Sequence, residues 1–241
     1  MEPLSNLLVY ASGDEEGGGS GFQEMVEYSR TNPPVLRANI IGVISNHARG
    51  GVWKKANKLG IPFFHMAGPF DAEAYRRIEE ENGLSPDSRM FSGWIKHVKG
   101  IDPRTAVNIH PGWLSGGGSE PHFGGKKMYG HHVHDAVFAA HRRGEIIQSA
   151  VTMHFITESF DQGPIIFRFP VLVRSEDTAE TIANRVNQVE RAWQSYILNL
   201  VVTGKIWLGM EEGFYVIKGV DELREFIPGI ELNVRRCRIP E

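Results

Sequence analysis

Short apolar runs alternate with helical stretches through the first half of the chain, and that alternation limits the folds open to it. Leu7 to Tyr10 reads as a buried strand closed by Ser12 and Gly13. Phe22, Met25 and Val26 then recur at i, i+3 and i+4, one helix face, within a helix over Phe22 to Tyr28 that Asn32-Pro33-Pro34 ends. The pattern repeats with a strand at Ile40–Ile44, a helix at Val52–Leu59, a strand at Phe63–His65, and a helix capped by Asp71 that runs through Tyr75 and Ile78 towards Asn82. Pro86 to Phe91 is the next strand by its place in the alternation. Yet Asp87, Ser88 and Arg89 are polar where a strand buried on both faces carries apolar residues. Ala106–His110 (strand), Val133–Arg143 (helix), Ser149–Ile156 and Ile165–Val173 (strands) follow, then a helix from Thr178 to Val202 with Ile182, Val186 and Val189 on one stripe. Such alternation predicts an α/β, Rossmann-like, mostly parallel sheet with helices on both faces.

A chain of 241 residues suits one such core, since single cores grow to ~250–300 residues before splitting. We expect one domain over residues 1–205 and a C-terminal extension, 206–241, packed on it, with a hairpin of Ile206–Leu208 and Phe214–Val216. There is no internal repeat. A net charge of −3 argues against nucleic acid as the main partner. Cys237 is the only cysteine, which excludes a disulfide framework or a cysteine-based zinc site and fits a reducing, cytoplasmic setting. No apolar run approaches the ~20 residues of a membrane span, and Met1-Glu2-Pro3-Leu4 lacks the basic start of a secretory signal.

The chemistry concentrates in Asn108-Ile109-His110-Pro111-Gly112 and, about fifty residues on, Phe160-Asp161-Gln162-Gly163-Pro164-Ile165-Ile166. In a strand, residues i and i+2 share a face, so Asn108 and His110 point together where Pro111-Gly112 ends the strand. Asp161 lies in a turn between apolar runs and can bring a carboxylate to the same spot. An amide donor, an imidazole and a carboxylate suit acyl transfer to an amine. His131, His132 and His134 also cluster, but no acidic or cysteine partner completes a familiar zinc pattern, so no metal is expected.

Asn-Ile-His-Pro followed by Asp-x-Gly-Pro-Ile-Ile resembles the folate-dependent formyltransferases, and further matches occur in that family's order from about Leu7 to about Leu208. They include Val9-Tyr10-Ala11-Ser12-Gly13, Gly19-Ser20-Gly21-Phe22-Gln23, Ile44-Ser45-Asn46, Gly60-Ile61-Pro62, Phe91 to Lys96, Phe123 to Gly130, Thr152 to Ile156, and Glu190 on the last long helix. The resemblance implies the formyltransferase fold and transfer of a formyl group from 10-formyltetrahydrofolate to the amine of glycinamide ribonucleotide, in purine biosynthesis. It implies Asn108, His110 and Asp161 as the catalytic set. Gly19, Ser20 and Gly21 would hold the 5′-phosphate, Glu190 the ribose hydroxyls, and His132 would touch substrate or folate. Ile95, Lys96 and Val98 would wrap the pterin. Its small-molecule partners are then glycinamide ribonucleotide and formyl-folate, and a homodimer is among the assemblies left open.

This sequence departs from the family at several points. Asp14-Glu15-Glu16-Gly17-Gly18 looks inserted, Gly21 replaces a common Asn, Ala72 stands where many members carry a phosphate-binding Arg, and Ile95 and Lys96 replace Met and Arg. The glycines of the insertion are expected to let its three carboxylates swing out into water, clear of an anion. Other readings share these residues: a sugar amine, an aminoacyl-tRNA or water as acceptor, or a folate- or nucleotide-binding protein whose site has decayed.

Overall fold

In a computed structural model, which describes residues 3–116, 119–219 and 237–239, strands and helices alternate as the periodicity requires. The order is β1 (Ser5–Tyr10), α1 (Ser20–Ser29), β2 (Ala38–Ser45), α2 (Gly51–Leu59), β3 (Phe63–His65), α3 (Ala72–Glu81), β4 (Ser88–Ser92), a 3-10 turn at Pro103–Thr105, and β5 (Ala106–His110). Then come α4 (His131–Arg142), β6 (Gln148–Phe155), β7 (Ile165–Leu172), α5 (Ala179–Val202), β8 (Trp207–Glu211), β9 (Phe214–Lys218) and β10 (Cys237–Arg238). The first seven strands form one sheet in the order β3-β2-β1-β4-β5-β6-β7, and β10-β9-β8 form another. Parallel pairing of β2 with β3, β1 with β2 and β1 with β4 makes the larger sheet mostly parallel, as expected of an α/β fold. The expected hairpin is β8 paired antiparallel with β9, and most of the sequence that follows it lies outside the described residues.

The chain divides into two compact units, Met1–Asn108 with Gln194–Lys205, and Ile109–Trp193 with Ile206–Glu241. In the first, Leu7, Leu8, Val9 and Tyr10 of β1 are fully buried between parallel neighbours. Asp71 caps α3 by accepting from the Ala74 amide at 2.9 Å, the role its position predicted. In the second, β6 and β7 run antiparallel from Gln148↔Leu172 to His154↔Ile165. Pro170 is tolerated in β7 because that strand ends the sheet order, where a missing ladder donor costs least.

The polar residues that made β4 the least strand-like segment have a physical reason. Asp87 precedes the strand and exchanges bonds with Asn6: its amide donates to the Asn6 carbonyl at 2.9 Å and its carboxylate accepts from the Asn6 amide at 2.8 Å. Arg89 forms a two-pronged ion pair with Glu79 of α3, Nε to Oε1 at 2.7 Å and Nη2 to Oε2 at 2.6 Å, and also donates to Thr105. Glu79 is buried and accepts a third bond from the Tyr10 hydroxyl at 2.8 Å. Burial, and then the Glu79 carboxylate, push the Tyr10 phenol far above its ordinary range, so it remains a donor. A charged strand residue is thus stable inside because both charges are paired and hydrogen-bonded. Glu79→Ala would strand the Arg89 guanidinium, and we expect a loss of about 3–5 kcal/mol in denaturant unfolding. A loss below about 1 kcal/mol would show that water reaches the arginine.

Candidate active site

His110 ends β5 and is 4% exposed. Its Nε2 lies 2.6 Å from the Phe123 carbonyl, and since a carbonyl only accepts, Nε2 carries the proton. That leaves Nδ1, 3.7 Å from Asp161 Oδ1, as the nitrogen able to take a proton. Asp161 Oδ1 is also 3.5 Å from Nε2 of the buried His154, while Oδ2 accepts from the Gly125 amide at 2.8 Å. Burial alone would push Asp161 upward, but the two imidazoles and the amide outweigh it and hold the carboxyl well below the usual range. The His110 imidazole is pushed down by burial, and Asp161 and the Phe123 carbonyl offset this only in part. A permanently ionised carboxylate therefore faces a mainly neutral imidazole, which gains most when a proton arrives.

Backbone requirements explain the glycines around this pair. Asp161 has φ 53°, a left-handed conformation that Asp tolerates better than bulky residues. A Cβ on Gly163 would fall 1.7 Å from the Phe155 carbonyl oxygen, so Asp161-Gln162-Gly163 can turn this tightly only with glycine there. A Cβ on Gly112 would sit 3.0 Å from His110 Nε2 and crowd the ring.

Of the residues singled out in the sequence, the structure brings His110 and Asp161 together. Asn108, half-buried, lies two residues before His110 on the same strand. Gly19 caps α1 in a left-handed conformation, φ 72°, with no side chain bonded to the first turn, so the amides that follow at Ser20 and Gly21 start the helix. Gly21 has a packing reason for differing from the family's Asn: its carbonyl accepts from Gln194 at 3.0 Å, and a Cβ would lie 2.3 Å from Ser92 Oγ. Ala72 packs against Gly100 so closely that a Cβ at position 100 would lie 2.4 Å from the alanine's.

Two expectations change in detail, and a third gains local bonds. The Ile95 amide, expected to meet the pterin edge, donates to Ser12 Oγ at 3.2 Å, while Lys96 Nζ sits 5.2 Å from the centre of the Phe70 ring and Val98 is buried. Asp14, Glu15 and Glu16 are all exposed to water, and Asp14 Oδ1 also accepts from the Glu16 and Gly17 amides at 2.9 and 2.5 Å. The histidine run does have an acidic neighbour: His131, His132 and Asp135, all exposed, place one ligand atom each within 4.8 Å of one another. The two histidines open the first turn of α4, where the helix dipole opposes a cation. Glu190 lies on α5, partly exposed, with Asn187 Nδ2 3.5 Å away; burial pushes its carboxyl up to about 7.

Sequence reasoning passed over His154, although strand alternation puts it on one face with Thr152 just before the Asp161 turn. The Phe123 carbonyl and Gly125 amide are backbone groups whose role no residue type announces.

These features define an α/β protein with an imidazole–carboxylate centre largely withdrawn from water. The chain belongs to the formyl transferase family, whose pattern it matches over residues 9–198. It is 33% identical over 207 residues to the phosphoribosylglycinamide formyltransferase of Bacillus subtilis, covering 81% of this chain and 93% of that one. It is 29% identical to the chloroplastic enzyme of that name from Vigna unguiculata, covering 92% of this chain and 68% of that one. Against the trifunctional purine biosynthetic protein adenosine-3 of Bos taurus, 30% identity covers 80% of this chain but 18% of that protein. The crystal structure of glycinamide ribonucleotide transformylase 1 from Symbiobacterium toebii superposes with a TM-score of 0.68 at 26% identity, covering 87% and 92% of the two chains. Among the described residues, no helix is long and apolar enough to cross a membrane.

His134 adds a pH dependence. It is 7% exposed on α4, and burial, then the neighbouring His110, push its imidazole down to about 4. A folded value below the unfolded ~6.5 means its neutral form stabilises the fold fully above pH ~6.5. That contribution fades as pH falls towards about 4 and totals about 3 kcal/mol at most. Denaturation of His134→Asn between pH 7 and 4 should show a shallower decline than the parent. Parallel declines would mean the imidazole is not the titrating group.

Proposed function

We propose that the chain transfers the formyl group of 10-formyltetrahydrofolate to the primary amine of glycinamide ribonucleotide, a step of purine biosynthesis. The observation that carries the reading is the His110–Asp161 pair, buried at the end of a strand that also bears Asn108. The names of the Bacillus subtilis and Symbiobacterium toebii relatives support the choice of acceptor. A cytoplasmic setting agrees with a chain that has one cysteine.

The amine attacks the formyl carbon, a C–N bond forms, and the carbonyl oxygen becomes an oxyanion. Asn108 donates a hydrogen bond to it, a contribution of ~2.7–4 kcal/mol for one donor. His110 Nδ1 takes up a proton as charge develops, and Asp161 stabilises the resulting imidazolium. The proton lost by the amine reaches the departing folate nitrogen as its C–N bond breaks, so the products are the formylated amine and tetrahydrofolate. Ser20 and Gly21 amides at the start of α1 meet the phosphate, as helix N-termini meet anions generally, and Gly19 lets the backbone approach. Ile95, Lys96 and Val98 border the pterin, and His132 the rim. Glu190 accepts from the ribose hydroxyls.

His110→Ala and Asp161→Asn should each lower turnover by at least ~100-fold with little change in melting temperature. The decisive assay follows folate absorbance with both substrates and with each omitted. Formyl release without the amine would make water the acceptor, and no reaction with either would reduce the site to a binding role.

Glu190 supplies an independent test. Because its carboxyl titrates at about 7, ribonucleotide affinity should rise as pH increases through that value, the ionised form being the stronger acceptor. Glu190→Gln should weaken binding by roughly 10-fold above pH 8, remove the pH dependence, and leave folate affinity unchanged in separate titrations. Equal losses for both ligands would assign Glu190 a structural task instead.

A further inference from the structure

Arg168 is a charged residue in the middle of β7, 2% exposed, that the chemistry above does not use. Its Nη1 donates to the Leu114 carbonyl at 2.8 Å and to Glu120 Oε2 at 3.1 Å, Nη2 lies 3.4 Å from Glu120 Oε1, and the guanidinium stacks 3.9 Å above the Trp113 ring. All three partners belong to the segment that follows Pro111-Gly112 and leads to Phe123. Glu120 accepts also from the Gly116 amide at 2.8 Å, so one carboxylate closes the segment on itself and ties it to β7. Across the strand pair, Thr152 is the register partner of Arg168 and grips the same segment, donating to the Gly112 carbonyl at 2.8 Å.

The far end of this segment bears on the catalytic histidine. The Phe123 amide donates to the Trp113 carbonyl at 2.8 Å, and the Phe123 carbonyl accepts from His110 Nε2. Trp113, held under the Arg168 guanidinium, therefore sets the position of the carbonyl that decides which His110 nitrogen carries a proton. An arginine this deeply buried is costly unless paired, and Glu120 is a carboxylate that pairs with it.

We propose that Arg168 and Glu120 are positioning residues for His110, latching residues 113–116 and 120–123 so that the Phe123 carbonyl holds Nε2–H and leaves Nδ1 to face Asp161. The inference rests on the proposed formyl transfer only for its kinetic arm. The groups facing His110 are Asp161 from the β6–β7 turn, His154 from β6, His134 from α4 and the Phe123 carbonyl. Opening the latch admits water to this set. Burial is the largest influence on the His110 imidazole, so its titration midpoint then moves up towards the ordinary value.

The test uses Glu120→Gln, which keeps shape and removes the charge at a half-exposed position, beside Arg168→Met and Arg168→Lys. Three readouts apply: amide hydrogen exchange at Phe123, the His110 imidazole titration followed by NMR, and steady-state kinetics. In Glu120→Gln we expect exchange at Phe123 to quicken at least ~10-fold, the His110 midpoint to rise, and kcat to fall ~10-fold with both KM values within about two-fold. Arg168→Lys, which keeps the charge without the fork, should fall between parent and Glu120→Gln. If Arg168→Met does not fold, the Glu120 arm stands by itself. The first two readouts need no substrate, so an acceptor other than the ribonucleotide would leave them intact. Unchanged Phe123 exchange and an unchanged His110 titration in Glu120→Gln, with only the melting temperature lowered, would overturn the proposal.

Discussion

A carboxylate kept ionised out of water is the constraint on which this structure depends. Asp161 has little solvent around it, and its charge persists because two imidazoles and a backbone amide surround it. Each partner comes from a different piece of chain: His110 from β5, His154 from β6, and the Gly125 amide from the loop before α4. The antiparallel β6–β7 pair delivers Asp161 through a turn so tight that Gly163 has no room for a side chain. The proposed proton transfer at this spot would benefit from the same exclusion of water that makes the charge costly, because electrostatic interactions strengthen as the local dielectric falls.

The first unit solves a related problem by different means. Tyr10, Tyr75, Phe91 and Trp94 form an aromatic cluster, with the Tyr10 and Phe91 rings stacked at 4.5 Å between centroids. Their polar ends are used: Trp94 Nε1 donates to the Tyr75 hydroxyl at 2.8 Å, and that hydroxyl donates to the His97 carbonyl at 2.9 Å. The cluster therefore fixes the backbone of Trp94 to Val98, the segment proposed to border the pterin. Buried aromatic side chains with one satisfied polar tip combine packing area with direction, which aliphatic residues cannot supply.

Most of the fold was legible because it rests on periodicity. The run from β1 to α3 and the β6–β7 pair were read to within a few residues, since apolar spacing and Gly/Pro punctuation are local signals. The polar start of β4 obscured that strand, because its compensation, Glu79, sits on a helix that the spacing of β4 alone does not reveal. At the site, His110 and Asp161 were legible as residue types placed at strand ends. His154 was present in a recognised stretch, yet its relevance depends on which way a strand faces. The Phe123 carbonyl and the Gly125 amide were beyond reach in principle, because every residue but proline offers the same backbone groups. Gly21 and Ala72 read as departures from a family pattern, whereas in three dimensions each answers to a close approach, by Ser92 and Gln194 or by Gly100.

The acidic insertion shows how a local fold can neutralise what composition suggests. Three carboxylates beside an anion site would repel it if all were free. Asp14 is exposed and accepts from the Glu16 and Gly17 amides, and those bonds hold its carboxyl below the usual range. Glu16 pairs with Lys54 of α2 at 3.0 Å, and the same lysine donates to the Glu15 carbonyl. Lys55 donates to the Gly18 carbonyl at 2.8 Å, one residue before the α1 cap. The close contacts of Gly13 with Gly18 and of Gly51 with the Gly17 carbonyl leave no space for side chains, which is why the loop is rich in glycine. Two lysines of α2 therefore accompany the carboxylates of the insertion, so the local charge is more balanced than its own composition implies.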